Sequence, residues 1–179
     1  MSGHSHAKNV ARKKEGDNKK KGALFGKILK AITIAAKDEP NPDFNPRLRT
    51  AIEKARSANV PLDNIERALK KVKESGDNLE DIIIEAYGPE GSALLITAIT
   101  DNKNRTISEI KTILTKLDAK PANPGSVLWA FEQNPETKIW SSKFPQSISQ
   151  ENIKKLKEII SSLENHDDVE NVYTNINFD

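Results

Sequence analysis

Three stretches of this chain carry side chains that could do chemistry, and two of the three are cationic. In NPRLRTAIEKARSANVPLDNIERALKK, residues 45–71, Arg and Lys recur at helical spacing. Arg47 and Lys54 stand on one shoulder of an apolar stripe, Arg49 and Arg56 on the other, and Arg67, Lys70 and Lys71 follow on a second helix. TDNKNRT, residues 100–106, sets Lys103 and Arg105 before a helix start, where free amides can also hold an anion. The third stretch, His166-Asp167-Asp168, has the residue types of a divalent-cation site for phosphodiester cleavage. Metal sites draw ligands from several segments, and no second acidic cluster stands at an obvious spacing. The three residues therefore read as polar turn residues between a helix and a strand. His4 and His6 offer only two ligands. No glycine-rich phosphate loop or nucleophile motif is present. The expected chemistry is phosphate neutralisation: no catalytic residue, no cofactor, no metal and no small-molecule substrate.

Helices have to hold these cations outward. Asn45 is placed to cap a helix that begins at Pro46, where a missing amide hydrogen costs nothing. Asp63 with Glu66 reads as a capping box after Pro61. Leu48, Ala51, Ile52 and Ala55 form one stripe, and Ile65, Ala68, Leu69 and Val72 form the next. An earlier helix, Leu24–Lys37, gathers Leu24, Phe25, Ile28, Leu29, Ile32, Ala35 and Ala36 on one arc, with Lys27, Lys30 and Lys37 opposite and Ile34 off the stripe. None of these helices is stable alone in water, so they are expected to pack stripe to stripe. Residues 1–22 hold almost no apolar side chains and two basic clusters, with Lys13, Lys14 and Lys20 among them. They are expected to form a mobile arm able to order along phosphates.

The periodicity changes after Gly76. IIIEAY, GPEG and SALLITAIT predict a hairpin, and Thr106 with Glu109 predicts a capped helix with Ile107, Ile110, Ile113, Leu114 and Leu117 on its apolar face. Ser126–Glu132 reads as a strand in which Trp129 and Phe131 share a core-facing side. Residues 133–148 are turn-rich, Ser147 with Gln150 caps a last helix through Leu163, and VENVYTNINF reads as a final strand. The expected fold is α+β. It comprises an arm (1–22), a basic three-helix bundle (23–76) and a two-layer α/β domain (77–179) with a mixed sheet in the order ββαβαβ.

Composition agrees with this division. Of 179 residues, 36 % are hydrophobic and 30 % charged, which is polar for a globular chain. Residues 1–76 hold 18 Lys and Arg against 9 Asp and Glu, whereas residues 77–179 hold 10 against 17. Such asymmetry points to a nucleic-acid-facing half. Without cysteine there is no disulfide framework, and no apolar run approaches the roughly 20 residues that span a bilayer. A cytoplasmic setting is expected, with an organelle matrix as the alternative.

The segments MSGHS, NPRLRTAIEKARSANVPLDNIERALKK, AYGPEG, TDNKNRT, PGSV and LENHDDVENVYTNINF occur in this order over nearly the whole chain. Together they resemble the YebC/PmpR family, which includes bacterial proteins described as transcriptional regulators and a mitochondrial translational activator of cytochrome oxidase. Two features depart from that family. His4-Ser5-His6-Ala7 replaces the usual His-Ser-Lys-Trp, and about sixteen residues, Gln133–Ile148, stand where a third domain is usually inserted. The resemblance implies a non-catalytic role in gene expression, either on promoter DNA or on the ribosome.

The residues themselves favour phosphate over bases. Selective DNA reading needs Arg, Asn or Gln side chains at base edges in the major groove. The outward face of the third predicted helix offers Arg67, Lys70, Lys71 and Lys73, with little amide chemistry. Structured ribosomal RNA therefore ranks above duplex DNA as the partner of an expected monomer, with a metal-dependent nuclease a remote third.

Overall fold

The structure, a computed structural model, describes residues 3–74 and 78–178; the side chains of residues 3–17, Lys13 and Lys14 among them, and of 73 and 74 lie outside that description. The first helix, α1, runs Gly3–Asp38. It begins well before the expected Leu24, so the segment foreseen as an arm is helical from Gly3. Residues 7–21 include six Lys, two Ala and one Arg and contain no proline. A helix already nucleated by packing propagates through such residues at little cost. Packing starts at Phe25, and Leu24 is exposed.

Two helices complete the basic unit: α2, Pro46–Ser57, and α3, Leu62–Glu74. Asn45 caps α2 as expected, accepting from the Leu48 amide at 2.9 Å. Its Nδ2 also donates to Ala35 O at 2.8 Å and Glu39 O at 2.7 Å, so one buried amide ties the start of α2 to the end of α1. Asn59 turns the chain after α2 in a left-handed conformation (φ 57°), which Asn tolerates. At α3 the expected cap is displaced: the helix starts at Leu62, and Asp63 lies inside its first turn. Ile28, Ile32, Leu48, Ala55, Val60, Ile65 and Ala68 are buried together between the three helices. Each fully buried Leu or Ile contributes about 1.5–3 kcal/mol relative to exposure.

The sheet unit begins with β1, Glu80–Tyr87, and β2, Ala93–Thr100, an antiparallel pair in register from Glu80↔Thr100 to Tyr87↔Ala93. Gly88–Ser92 closes the hairpin, with Glu90 (φ 54°) and Gly91 (φ 75°) left-handed. Next come α4, Lys103–Lys116, and a two-residue strand β3, Lys120–Pro121. After these follow β4, Phe131–Gln133, β5, Trp140–Ser142, α5, Gln150–Glu164, and β6, Val169–Thr174. The main sheet has the order β3-β1-β2-β6 and every pairing is antiparallel, which corrects the expected mixed sheet.

The strand expected at Ser126–Glu132 is also corrected. Residues Leu128–Ala130 form a 3-10 turn, and β4 pairs only with β5 in a separate two-stranded sheet. The cause is Glu85 on β1, whose buried carboxylate accepts from the amides of Gly125 (2.5 Å), Val127 (2.7 Å) and Leu128 (2.9 Å). That grip bends the segment where an extended run was foreseen, so Trp129 points to solvent while Phe131 is buried.

β2 is buried on both sides, as its nearly unbroken apolar sequence allows. Leu94 and Ile96 face α4 and α5 through Ile110, Leu114, Leu156 and Ile159; Ala93 and Leu95 meet Val127, Ala130 and Phe131. The basic unit packs on the sheet unit through α1, which lies against β2 and β6. Ile34, off the helical stripe, is buried in α1. Among the described residues, no helix is long and apolar enough to cross a membrane.

Candidate nucleic-acid interface

The cations picked out in the sequence fall into two sets once folded. Lys27, Lys30 and Arg47 have partners across the boundary between the helical unit and the sheet unit, and Arg105 has partners within the sheet unit. Lys30 Nζ lies 2.6 Å from Asp168 Oδ1, and Arg105 Nη2 lies 2.8 Å from Asp168 Oδ2 and 3.0 Å from Asp101. Lys27 donates to the Glu164 carbonyl. Burial pushes the Lys27 ammonium down, against the pull of Asp167 and Glu164. Arg47 forms a bidentate pair with Asp81 on β1, at 2.7 and 2.8 Å. Its guanidinium is held further toward the charged form by that hydrogen-bonded pair.

Asp168 is the hub of the first set. Its side chain is 4 % exposed, and it also accepts from the hydroxyl of Thr106 at 2.7 Å. Burial alone would raise this carboxyl, but the hydrogen bonds from Lys30, Thr106 and Arg105 outweigh it and hold it well below the usual carboxylate range. Beside it, His166 Nδ1 accepts from the Asp168 amide at 3.1 Å, which leaves Nε2 as the donor to Glu109, 2.8 Å away. Thr106 and Glu109, expected to cap α4, are thus inside the helix and used for tertiary contacts. The cap is Asn102, which accepts from the Arg105 amide at 3.1 Å. At α5 the cap is Ser149, two residues beyond the expected Ser147.

Glu109, His166 and Asp168 bring ligand atoms within 4.8 Å of one another, the geometry asked of a metal cluster. The donors do not suit a divalent cation: both Asp168 oxygens already face cations, and His166 Nδ1 is occupied by an amide. A third positive charge there would meet Lys30 and Arg105 at close range. The cluster is a structural clasp.

The second set stays on the outside of the helices. Lys54 and Arg56 on α2 and Arg67, Lys70 and Lys71 on α3 are exposed, as are Lys20 on α1 and Lys103 at the start of α4. Arg49 is partly tied down, donating to Asp43 O at 2.9 Å and Pro42 O at 3.3 Å. Arg67 is braced against its own helix, donating to Asp63 O at 3.2 Å and to the Asn64 side chain. A groove of about 350 Å³ opens between α1 and α3, lined by Gly26, Leu29, Thr33, Ala68, Arg67 and Lys71 among others. Its lining mixes small and apolar side chains with the cations Lys30, Arg67 and Lys71.

The sequence reading missed Asp168, Thr106 and His166 as members of one clasp. Its signals were present, because TDNKNRT and the His-Asp-Asp turn were both singled out. No local periodicity connects residues 62 apart.

The chain is similar to known proteins over most of its length. Residues 5–75 match the TACO1/YebC protein N-terminal domain, and residues 79–147 match the TACO1/YebC second and third domain. A probable transcriptional regulatory protein of Fervidobacterium nodosum is 45 % identical over 146 residues, 80 % of this chain and 58 % of that protein. One from Aquifex aeolicus is 44 % identical over 136 residues, 74 % of this chain and 55 % of that one. The chain thus spans little more than half the length of these relatives. The crystal structure of a conserved hypothetical protein from Aquifex aeolicus superposes with a TM-score of 0.77 at 31 % identity, covering 87 % of this chain and 90 % of that one.

Proposed function

We propose that this chain, which belongs to the TACO1/YebC family, is a non-enzymatic, nucleic-acid-binding regulator of gene expression that acts on the ribosome. The observation that carries the reading is the set of exposed cations on α2 and α3, Lys54, Arg56, Arg67, Lys70 and Lys71, of which Arg67 and Lys71 line the α1–α3 groove. Lys and Arg on such a face neutralise phosphates without reading sequence. The exposed residues of α3 offer almost no amide side chains to a base edge, which favours structured rRNA over duplex DNA. The second reading, promoter DNA, is favoured by the names of the curated relatives, probable transcriptional regulatory proteins.

Cosedimentation with ribosomal subunits across a salt titration, beside gel shifts on promoter and random DNA, tests the choice. The wild-type chain is expected to pellet with a subunit at low salt. The triple variant Arg67→Gln, Lys70→Gln, Lys71→Gln is expected to bind at least about tenfold more weakly, with a salt slope shallower by roughly 2. Protein that stays in the supernatant at low salt, or that selects one promoter at physiological salt, sinks the ribosomal reading.

A further inference from the structure

We infer that the sheet unit carries a stacking platform for unpaired bases of single-stranded RNA, built from Tyr87, Trp129 and Phe144. This inference rests on the nucleic-acid reading above, but it concerns a different surface from the cationic helices. Trp129 is 62 % exposed, Phe144 53 % and Tyr87 38 %. These are the residue types whose ring faces accept any base.

The rings are gathered by the fold. Tyr87 Oη and Trp129 Nε1 both donate to the same acceptor, the Ser126 carbonyl, at 3.0 and 2.9 Å. The polar edge of each ring is thereby satisfied and its orientation fixed. Trp129 continues to Phe144 with ring centroids 5.7 Å apart, inclined at 41°. Lys143 Nζ stands 5.7 Å from the Phe144 ring centre, and its backbone amide is anchored 2.9 Å from Ala130 O. Lys120, exposed on β3, pairs in register with Tyr87. The Glu85 carboxylate beneath this surface is buried and already accepts three amides.

Charge complementarity selects the occupant. Three exposed rings, two of them held by hydrogen bonds, flanked by Lys120 and Lys143, match stacked bases joined by phosphates, where ring and cation both find a partner. The bend that exposes Trp129 is made by Glu85, a buried carboxylate whose other effect is to hold the turn below the rings. The same grip therefore shapes the turn that carries Trp129.

Fluorescence anisotropy of the full chain with labelled oligo(A) RNA of roughly 12 nucleotides, its DNA counterpart and an RNA hairpin duplex tests the proposal. Trp129→Ala and Phe144→Ala are each expected to weaken single-stranded RNA binding by at least about fivefold while leaving duplex binding unchanged. Trp129→Phe should restore most of the loss. Alanine variants that bind the single strand within twofold of wild type overturn the platform. Wild type that ignores the oligonucleotide yet pellets with ribosomes also overturns it, and leaves the proposed function standing. If Trp129→Ala abolishes ribosome binding with oligonucleotide affinity unchanged, the patch docks a protein and the inference fails.

Discussion

Lys30 and Lys70 are both lysines on amphipathic helices of the basic unit, yet the fold puts them to opposite uses. Lys30, on α1, ends 2.6 Å from a buried carboxylate of the sheet unit. Lys70, on α3, stays exposed on a face shared with Arg67. The same division separates Arg47, paired with Asp81, from Arg56 on the same helix, which is exposed. A cation near a neighbouring acidic unit becomes part of the structure, whereas one turned away from it remains available to a polyanion. Net charge therefore overstates the binding surface. The acidic excess of residues 77–179 is partly there to receive the basic half.

The sharpest way to break this contrast is Asp168→Ala. It removes one carboxylate from three partners, leaving Lys30 and buried Thr106 without their anion and Arg105 with Asp101 alone. Destabilisation of about 2–4 kcal/mol is expected, because the loss leaves hydrogen-bonding groups and charge partly buried and unpaired. Urea unfolding measures it. A change below about 0.5 kcal/mol would mean the clasp is ornamental and that Lys30 is as free to bind phosphate as Lys70. Neutralising Arg67, Lys70 and Lys71 should instead show mainly in affinity, with a shift in the urea midpoint well below that of Asp168→Ala.

Acid should dissolve the same clasp selectively. The Asp168 carboxyl is held below its ordinary value of 3.8 in the folded chain, so below that value the unfolded state takes up the proton first. The sign follows: its contribution is complete above about pH 5 and is lost as pH falls through 3.8 toward the depressed folded value. Urea midpoints measured at pH 5, 4, 3 and 2 should drop for the wild type and drop less steeply for Asp168→Asn. Parallel curves would show that other carboxylates carry the acid response.

What was legible in the sequence was local. Asn45 capping α2, the presence of the β1–β2 hairpin and the apolar stripes of α2 and α3 rest on residues within a few positions of each other. Where sequence and structure part, a distant group intervenes. Thr106 and Glu109 have the spacing of a capping box, but Asp168 and His166 claim their side chains from 62 and 57 residues away. Ser126–Glu132 has strand composition, but Glu85 gathers its amides into a turn. The basic residues were legible as a class and not one by one, since only packing decides which of them meets a carboxylate.

The smallest expected effect is also the finest test of the two-set division. Arg47 and Asp81 make a bidentate pair between α2 and β1, with Arg47 15 % exposed and Asp81 46 % exposed. A pair so open on one side is screened by water, so the double-mutant cycle of Arg47→Ala and Asp81→Ala should give a coupling of only about 0.5–1 kcal/mol. Raising the salt concentration should shrink it, because the exposed carboxylate is within reach of counterions. The second readout is ribosome affinity. If Arg47 belongs to the structural set, Arg47→Gln should leave affinity within about twofold of wild type at a given salt, whereas a loss matching that of Arg67→Gln would move it into the binding set. The pair would then be a latch that phosphate opens, and the boundary between the two sets would run through α2.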